Sequence, residues 1–322
     1  MLTAGEALAA ILERVGPLGG EERALDDALG RVLADELTAS HDLPPFANSA
    51  MDGFAVRAAD VVSATAEVPA RLRVLADVPA GSVAGVAVAP GTCLRIMTGA
   101  GLPAGADTVV PVEHTTAGPG WVEVARPARS GANVRRAGED VRAGEIALCR
   151  GAVLRAAELG LLAAMGRPYV RVHRAPMVAV VTTGDELVES SQTPGPGQIR
   201  DANIHSLCAQ VWAVGATPMP VPRVRDTREA VQSALVQAWA GADVVVTNGG
   251  VSVGEWDHVK AVLEDLGAEP VFWGVKQKPG RPMAFWAWDG KPVFGLPGNP
   301  VSCMVCFEEY VRPALRRMMG FT

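Results

Sequence analysis

No stretch of the 322-residue chain approaches the roughly 18–20 uninterrupted apolar residues that a membrane span requires. Its first apolar segment carries Glu6, Glu13 and Arg14, which the core of a signal peptide would lack. A cytoplasmic protein is therefore expected. Cysteine is scarce: Cys93, Cys149, Cys208, Cys303 and Cys306 are too few and too scattered for a disulfide framework. Cys303 and Cys306 form a CxxC, but they lie in the apolar run Val301–Phe307 with no second Cys pair or nearby His pair to complete a zinc site. They read as packing thiols. His41, His114, His173, His205 and His258 show no metal-ligand spacing. Positive charge is not in excess, and a net charge of −6 disfavours a general nucleic-acid binder while leaving room for a small anion held by a local basic cluster. Neither GxGxxG nor GxxxxGK[ST] occurs, so the nicotinamide-dinucleotide fingerprint and the Walker loop are both missing. Internal repeats and low-complexity tracts are missing too.

What is present has an ordinary globular balance, 49% apolar and 20% charged. The length exceeds what one core usually serves, so two or three domains are expected. The 35 glycines and 24 prolines imply many short elements joined by tight loops. Residues 3–15 carry apolar side chains at helical spacing behind a Thr3/Glu6 capping box, and a second helical stretch is expected over about 21–35. Pro44-Pro45 breaks the periodicity. From about 46 to 140, short β-type runs (Leu72–Leu75, Cys93–Ile96, Thr108–Val112, Trp121–Val124) alternate with Gly/Pro turns, the pattern of a β-rich unit. Because the flanking segments differ in texture, this unit reads as an insertion, with 1–45 and 141–174 forming one elongated, discontinuous domain.

From about 176 the rhythm is α/β. Apolar strands at Met177–Val181, Thr217–Pro222, Ala242–Thr247, 270–273 and 292–296 alternate with helices at about 203–214, 227–240, 256–266 and 300–316. Continuous Val-rich strands between helices predict a mostly parallel sheet covered on both faces, a three-layer α/β domain over 175–322. Ligands of such sheets bind beyond the carboxyl ends of the strands. Polar loops fall there: Thr182-Thr-Gly-Asp-Glu186, Asn248-Gly-Gly-Val-Ser-Val-Gly-Glu-Trp-Asp257 and Gly295-Leu-Pro-Gly-Asn-Pro-Val-Ser302. The last is expected to cradle an oxyanion with the unpaired N–H groups of its following helix and the Ser302 hydroxyl. Lys276-Gln-Lys-Pro-Gly-Arg-Pro282 projects cations from a loop that Pro and Gly keep out of a helix, which suits a clamp on phosphate or a similar oxyanion. Asp52, Asp140, Asp185, Glu186, Asp226 and Asp257 occupy polar loops; Mg²⁺ takes only one or two carboxylates, so most of these are not metal ligands, and some orient substrate or act as acid/base groups while an isolated loop Asp reads as a turn or cap residue.

These residues compose a recognisable set. Pro45-Phe-Ala-Asn-Ser-Ala-Met-Asp-Gly-Phe-Ala55, Arg95-Ile-Met-Thr-Gly-Ala100 with Pro103-Ala-Gly-Ala-Asp107, and Asn133-Val-Arg-Arg-Ala-Gly-Glu-Asp140 resemble motifs of the MoeA family, which includes the E domain of gephyrin and its plant counterpart. So do Thr182-Thr-Gly-Asp-Glu186, Gly249-Gly-Val-Ser-Val-Gly254, Lys278-Pro-Gly-Arg-Pro282 and Gly295–Ser302, in the same order along the chain. The resemblance implies an elongated α+β domain I (1–45 and 141–174), an inserted β-rich domain II (46–140), and a molybdopterin adenylyltransferase-like α/β domain III (175–322). The family's C-terminal β domain IV has no counterpart in these residues.

The resemblance further implies molybdenum insertion. Molybdate and adenylylated molybdopterin are the substrates, Mg²⁺ is the cofactor, and AMP is released. A homodimer is expected, its cleft formed between domain III of one subunit and domain II of the other, and a molybdopterin adenylyltransferase is a candidate partner. Asp52, Thr98, Asp140, Glu186 and Asp226 are the implied catalytic residues. Gly249, Gly250, Ser252, Lys276, Lys278, Arg281, Pro297, Gly298, Asn299 and Ser302 would bind substrate or oxyanion, and Asp257 and Glu186 would bind the metal. Arg281 stands where many relatives have Lys, keeping the cation but changing its geometry. The alternative is a non-catalytic molybdopterin-binding or scaffold protein of the same fold.

Overall fold

The computed structural model describes residues 1–249 and 258–322. Two compact units result, one of Glu36–Cys149 with Gly160–Arg167, the other of Met1–Asp35, Arg150–Leu159 and Pro168–Thr322. The first is built on a six-stranded sheet of β1 (Gly53–Val56), β2 (Ala70–Val78), β3 (Thr92–Ile96), β4 (Thr108–Pro111), β5 (Thr115–Gly118) and β6 (Trp121–Val124). Its order is β4-β1-β3-β2-β6-β5, and only β2 and β3 run parallel. Strand alternation sends Phe54, Leu72, Cys93, Val110 and Val122 to one apolar cluster and Ala55, Val78, Leu94, Ile96 and Val109 to another. Gly53 is required where β1 meets β4, because a Cβ there would collide with the Val110 carbonyl.

The second unit carries β7 (Met177–Thr183), β8 (Thr217–Val224), β9 (Val244–Asn248), β10 (Glu269–Trp273), β11 (Ala284–Trp288) and β12 (Lys291–Leu296). They are ordered β8-β7-β9-β12-β11-β10, the first four parallel, with β11 antiparallel to both of its neighbours β12 and β10. Val178 and Val180 face a cluster with Leu207, Val246, Phe294 and Phe307, under the helices Ala4–Arg14, Asn203–Ala213 and Pro300–Cys306. Ala179 and Val181 face the opposite cluster with Leu235, Val245 and Val262, under Arg228–Gly241 and His258–Asp265. Burial on both faces explains why β7 reads as an unbroken apolar run. The three-layer α/β expectation is met.

The helix expected over 21–35 is not there. Gly20–Ala24 is a strand paired antiparallel with Tyr169–His173, followed by one 3₁₀ turn at Leu25–Asp27. Pairing with a segment far along the chain, reinforced by Arg31 and Arg23 bonding Glu21, overrides the local helical signal. The Thr3/Glu6 capping box forms as expected, with the Thr3 hydroxyl accepting from Glu6 N and the Glu6 carboxylate accepting from Thr3 N. The final helical segment continues from Pro300 to Met318 through a π turn at Phe307–Val311. Among the described residues no helix is long and apolar enough to cross a membrane.

The strand starts are aligned by one ion pair. Arg174 donates from both terminal nitrogens to Asp243, at 2.6 Å each, and Asp243 also accepts from Met177 N at 2.9 Å. This joins the entries of β7 and β9. Burial raises the Asp243 pKa, but the Arg174 and Met177 donors outweigh it and hold the carboxyl below its usual range. A carboxylate depressed in the folded state stabilises the protein above its unfolded pKa and loses that contribution as pH falls through the folded value. Asp243→Asn should therefore cost about 1–3 kcal/mol at pH 7, discounted for the partly exposed Arg174. The gap between wild type and variant in urea denaturation should close as the pH falls below the folded Asp243 pKa; a gap that persists there would assign the loss to packing instead.

Candidate functional site

The parallel register brings the carboxyl ends together. Val181 pairs with Thr247 and Thr247 with Gly295, so the loops after β7, β9 and β12 leave the sheet side by side. In the antiparallel part, Ala284 pairs with both Gly295 and Trp273. The loop between β10 and β11, which contains Lys276, Lys278 and Arg281, is thereby delivered to the same edge. Gly250, Ser252 and Asp257 lie outside the described residues.

Asn248, the last residue of β9, ties the edge together. It is 3% exposed. Its Nδ2 donates to Pro297 O at 2.7 Å and to Cys303 Sγ at 3.1 Å, while its Oδ1 accepts from Asn203 Nδ2 at 2.7 Å. Asn203 opens the helix Asn203–Ala213, and the same Nδ2 reaches Gly298 O at 2.8 Å. Gly249 follows with φ +87 and donates its N–H to Leu296 O at 3.3 Å. A Cβ on Gly249 would stand 2.8 Å from Thr183 O, so glycine is needed for conformation and for space. The side-chain oxygens of Thr183 and Asn203 are buried with no partner among the described residues.

Pro297, Gly298, Asn299 and Ser302 form the loop and first turn of the helix Pro300–Cys306. One expectation for this helix is corrected. Asn299 is its N-cap and accepts from Val301 N at 3.1 Å and Ser302 N at 3.3 Å, so two amides expected to meet an anion are already paired. The Ser302 hydroxyl also points to Asn299 Oδ1, at 3.5 Å. The better cation source is the neighbouring loop. Lys276, Lys278 and Arg281 are exposed, whereas Gly280 between them is buried.

Carboxylates gather beyond β7 and β8. The Asp226 N–H donates to Asp185 at 3.4 Å. Burial, then the charges of Glu186 and Asp185, raise the Asp226 pKa, opposed by that N–H bond and by His258. Among the described residues no set of three His, Cys, Asp or Glu side chains converges closely enough to cage a metal ion. Next to this group, on the helix Asn203–Ala213 side, lies a cavity of about 280 Å³ with Val188, Ile204 and Val221 as apolar walls. Thr182 and Asp201 also line it; the Thr182 hydroxyl donates to Asp201 at 2.5 Å, and Asp201 caps the helix through Ile204 N at 3.1 Å.

In the other unit, Thr98 donates its hydroxyl and its N–H to Asp52 Oδ1, both at 2.7 Å. Those two bonds hold the exposed Asp52 carboxyl below its usual range, with a smaller contribution from Arg95. Asp140 is exposed on a separate groove lined by Arg136, Glu139, Arg142 and Glu145, and its N–H is bound to Leu43 O at 2.9 Å. No hydrogen bond joins it to Asp52 or Thr98 among the described residues.

Sequence reasoning passed over Asn203, Asn248, Asp201 and Gln277. A polar residue at the end of a buried strand, as in Val244–Asn248, was the available signal for Asn248. Asn203 lies 45 residues away, and nothing local links the two.

The chain matches the family described as the MoeA N-terminal region (domain I and II) over residues 2–166, and a probable molybdopterin binding domain over 179–317. A molybdopterin molybdenumtransferase of Nostoc sp. is 40% identical over 296 residues, covering 91% of this chain and 68% of that protein. The Bacillus subtilis protein of the same name is 38% identical over 297 residues, covering 91% of this chain and 69% of its own length. A crystal structure of the molybdopterin biosynthesis MoeA protein from Pyrococcus horikoshii superposes with a TM-score of 0.87 at 31% identity, over 100% of this chain and 80% of that one.

The Asn248 amide is expected to stabilise the fold as well as shape the edge. Asn248→Ala leaves the Pro297 carbonyl without this donor and should lower stability by about 1–3 kcal/mol. Chemical denaturation reads it, and a loss below about 0.5 kcal/mol, the size of an ordinary surface substitution, would show that the network carries little.

Proposed function

The chain belongs to the MoeA family, and on that premise we propose that it is a molybdopterin molybdotransferase that transfers molybdate to adenylylated molybdopterin with Mg²⁺-dependent release of AMP. The observation that carries the proposal is the division of charge along one sheet edge. In the strand order β8-β7-β9-β12-β11-β10, the carboxylates follow β7 and β8, and the cations lie between β10 and β11. Asn248 and Gly298 stand between them. A substrate carrying a phosphate with its counter-cation at one end and an oxyanion at the other matches that arrangement.

The residues fit a magnesium ion. Mg²⁺ keeps several waters and needs only one or two protein carboxylates beside phosphate oxygens, so the lack of a closed cage among the described residues does not conflict with it. The crowding that raises the Asp226 pKa is what a divalent cation relieves. Glu186 would hold it, with Asp257 from the loop outside the described residues. When bound, the ion supplies neutralisation of charge on the departing AMP phosphate.

The chain's own groups supply the rest. Lys276, Lys278 and Arg281 give charge-assisted hydrogen bonds to molybdate, with Ser302 adding a hydroxyl. The Gly249 turn lets backbone approach the substrate closely. Asp226, whose N–H meets the Asp185 carboxylate beyond β8, serves as the acid/base group. In the homodimer, domain II of the partner subunit would bring its own copies of Asp52, aimed by Thr98, and Asp140 to orient the substrate. The cavity beside Thr182 is on the scale of one heterocycle, suiting a ring of the pterin or adenine portion. A homodimer belongs to the same proposal.

Incubation with adenylylated molybdopterin, molybdate and Mg²⁺ should release AMP and yield molybdenum cofactor; a folded protein that releases none would overturn the proposal. Lys278→Ala and Arg281→Ala should each weaken molybdate use by about 1–3 kcal/mol through lost charge-assisted bonds. Steady-state molybdate titration measures this, and wild-type dependence in both variants would remove the clamp.

A further inference from the structure

The loop that carries the cations has an inside as well as an outside. Lys276, Lys278 and Arg281 are exposed, Gln277 is half-buried and Gly280 is buried. The inward residues meet the last helical segment. Gln277 Nε2 donates to Cys306 Sγ at 3.5 Å, the Cys306 thiol donates to Gly280 O at 3.6 Å, and the Tyr310 hydroxyl donates to Gln277 Oε1. Cys306 is fully buried and Tyr310 1% exposed, so the bonds are shielded from water on the helix side. Gly280 has φ +100, and a Cβ on it would collide with both Gln277 Nε2 and Cys306 Sγ. The loop thus rests directly on the thiol.

We propose that Cys306, Gln277 and Tyr310 form a buried polar latch that fixes the Lys276–Arg281 loop and so positions its cations for the oxyanion. These are positioning residues: none is argued to touch substrate. The link to the oxyanion rests on the clamp role proposed above, while the latch itself does not.

The other hydrogen bonds of the loop among the described residues are between backbone groups. Val275 N donates to Arg281 O at 2.9 Å, Met283 N to Gly280 O at 3.2 Å and Lys276 N to Leu2 O at 2.8 Å. None of them reaches the last helical segment. Gln277 does, its amide held at both ends, by sulfur on one turn and phenol on the next. Burial pushes the Cys306 thiol up to about 12, which keeps it a neutral donor to Gly280 O at physiological pH. Serine reproduces the donor and acceptor capacity of this thiol, and alanine does not.

The test compares Cys306→Ala, Tyr310→Phe and Cys306→Ser with wild type in the full chain. Tyr310→Phe keeps the ring, so it remains informative if Cys306→Ala folds poorly. Hydrogen exchange of the Val275, Gln277 and Met283 amides reads the latch directly, and molybdate titration reads its consequence. Cys306→Ala and Tyr310→Phe should exchange these amides faster and raise the molybdate KM by about fivefold or more, the equivalent of one net hydrogen bond. The kcat should be preserved, and Cys306→Ser should restore both readouts. Unchanged exchange in both disruptive variants overturns the latch. Faster exchange with an unchanged molybdate KM overturns its positioning role, provided Lys278→Ala does raise that KM. Should Lys278→Ala leave molybdate use unchanged, the clamp assignment fails, and the positioning role falls with it while exchange still decides the latch.

Discussion

The side-chain amide of Asn248 is the contact on which the sheet edge depends. It sits at the carboxyl end of a central strand, almost fully buried, where a polar group is costly unless paired. Pairing it requires Pro297 and Cys303 from one loop and helix, and Asn203 from another. Only a carboxamide offers both the donors and the acceptor that these partners need: an aspartate has no hydrogen to give Pro297 O, and a leucine would leave all of them unpaired. The loops therefore cannot drift independently. Register at the far end of the sheet, set by Arg174 and Asp243, determines where Asn248 arrives.

With that frame fixed, charge distribution follows from strand order. The parallel strands bring the carboxylate loops to one side of the edge. The antiparallel turn at β11 returns the chain to the same edge and delivers the basic loop to the other side. A wholly parallel sheet would carry the β10–β11 connection through a crossover. The switch of direction is thus the feature that lets a short Pro/Gly-restrained loop, with three exposed cations, stand beside a glycine-rich one.

Much of this was legible in the sequence. Val-rich strands alternating with helices gave the three-layer unit because burial on both faces removes the polar alternation of a half-exposed strand. The alternating runs such as Trp121–Val124 marked the β-rich segment. Glycines at strand ends and the Lys276–Pro282 cluster pointed to the edge. Less visible were features set by partners far away in the chain. Gly20–Ala24 has helix-compatible residues and is a strand only because Tyr169–His173 lies beside it. β11 lies in an aromatic run, Ala284–Trp288, that was not read as a strand, although the Asp289-Gly290 turn joining it to β12, both residues at positive φ, is a local hairpin signal for its antiparallel direction. Asn299 was expected to bind the oxyanion in a loop presenting free amides, yet it occupies two of those amides itself.

The CxxC illustrates a different limit. Its apolar surroundings read as packing, and both thiols are buried. Packing alone, however, is an incomplete description. Cys303 accepts from Asn248 and Cys306 contacts Gln277 and Gly280, so each sulfur holds one of the two loops at the edge. A residue there must be small and apolar enough for the layer between sheet and helix, yet able to meet an amide or a carbonyl. A carboxylate or an amine would bring an unpaired charge into that layer. A thiol satisfies both demands because burial, which pushes Cys303 and Cys306 up to about 12, keeps it protonated and unreactive. The spacing of three residues then has a geometric cause: one helical turn separates the sulfurs, and the helix uses that turn to span from the glycine-rich loop to the basic one.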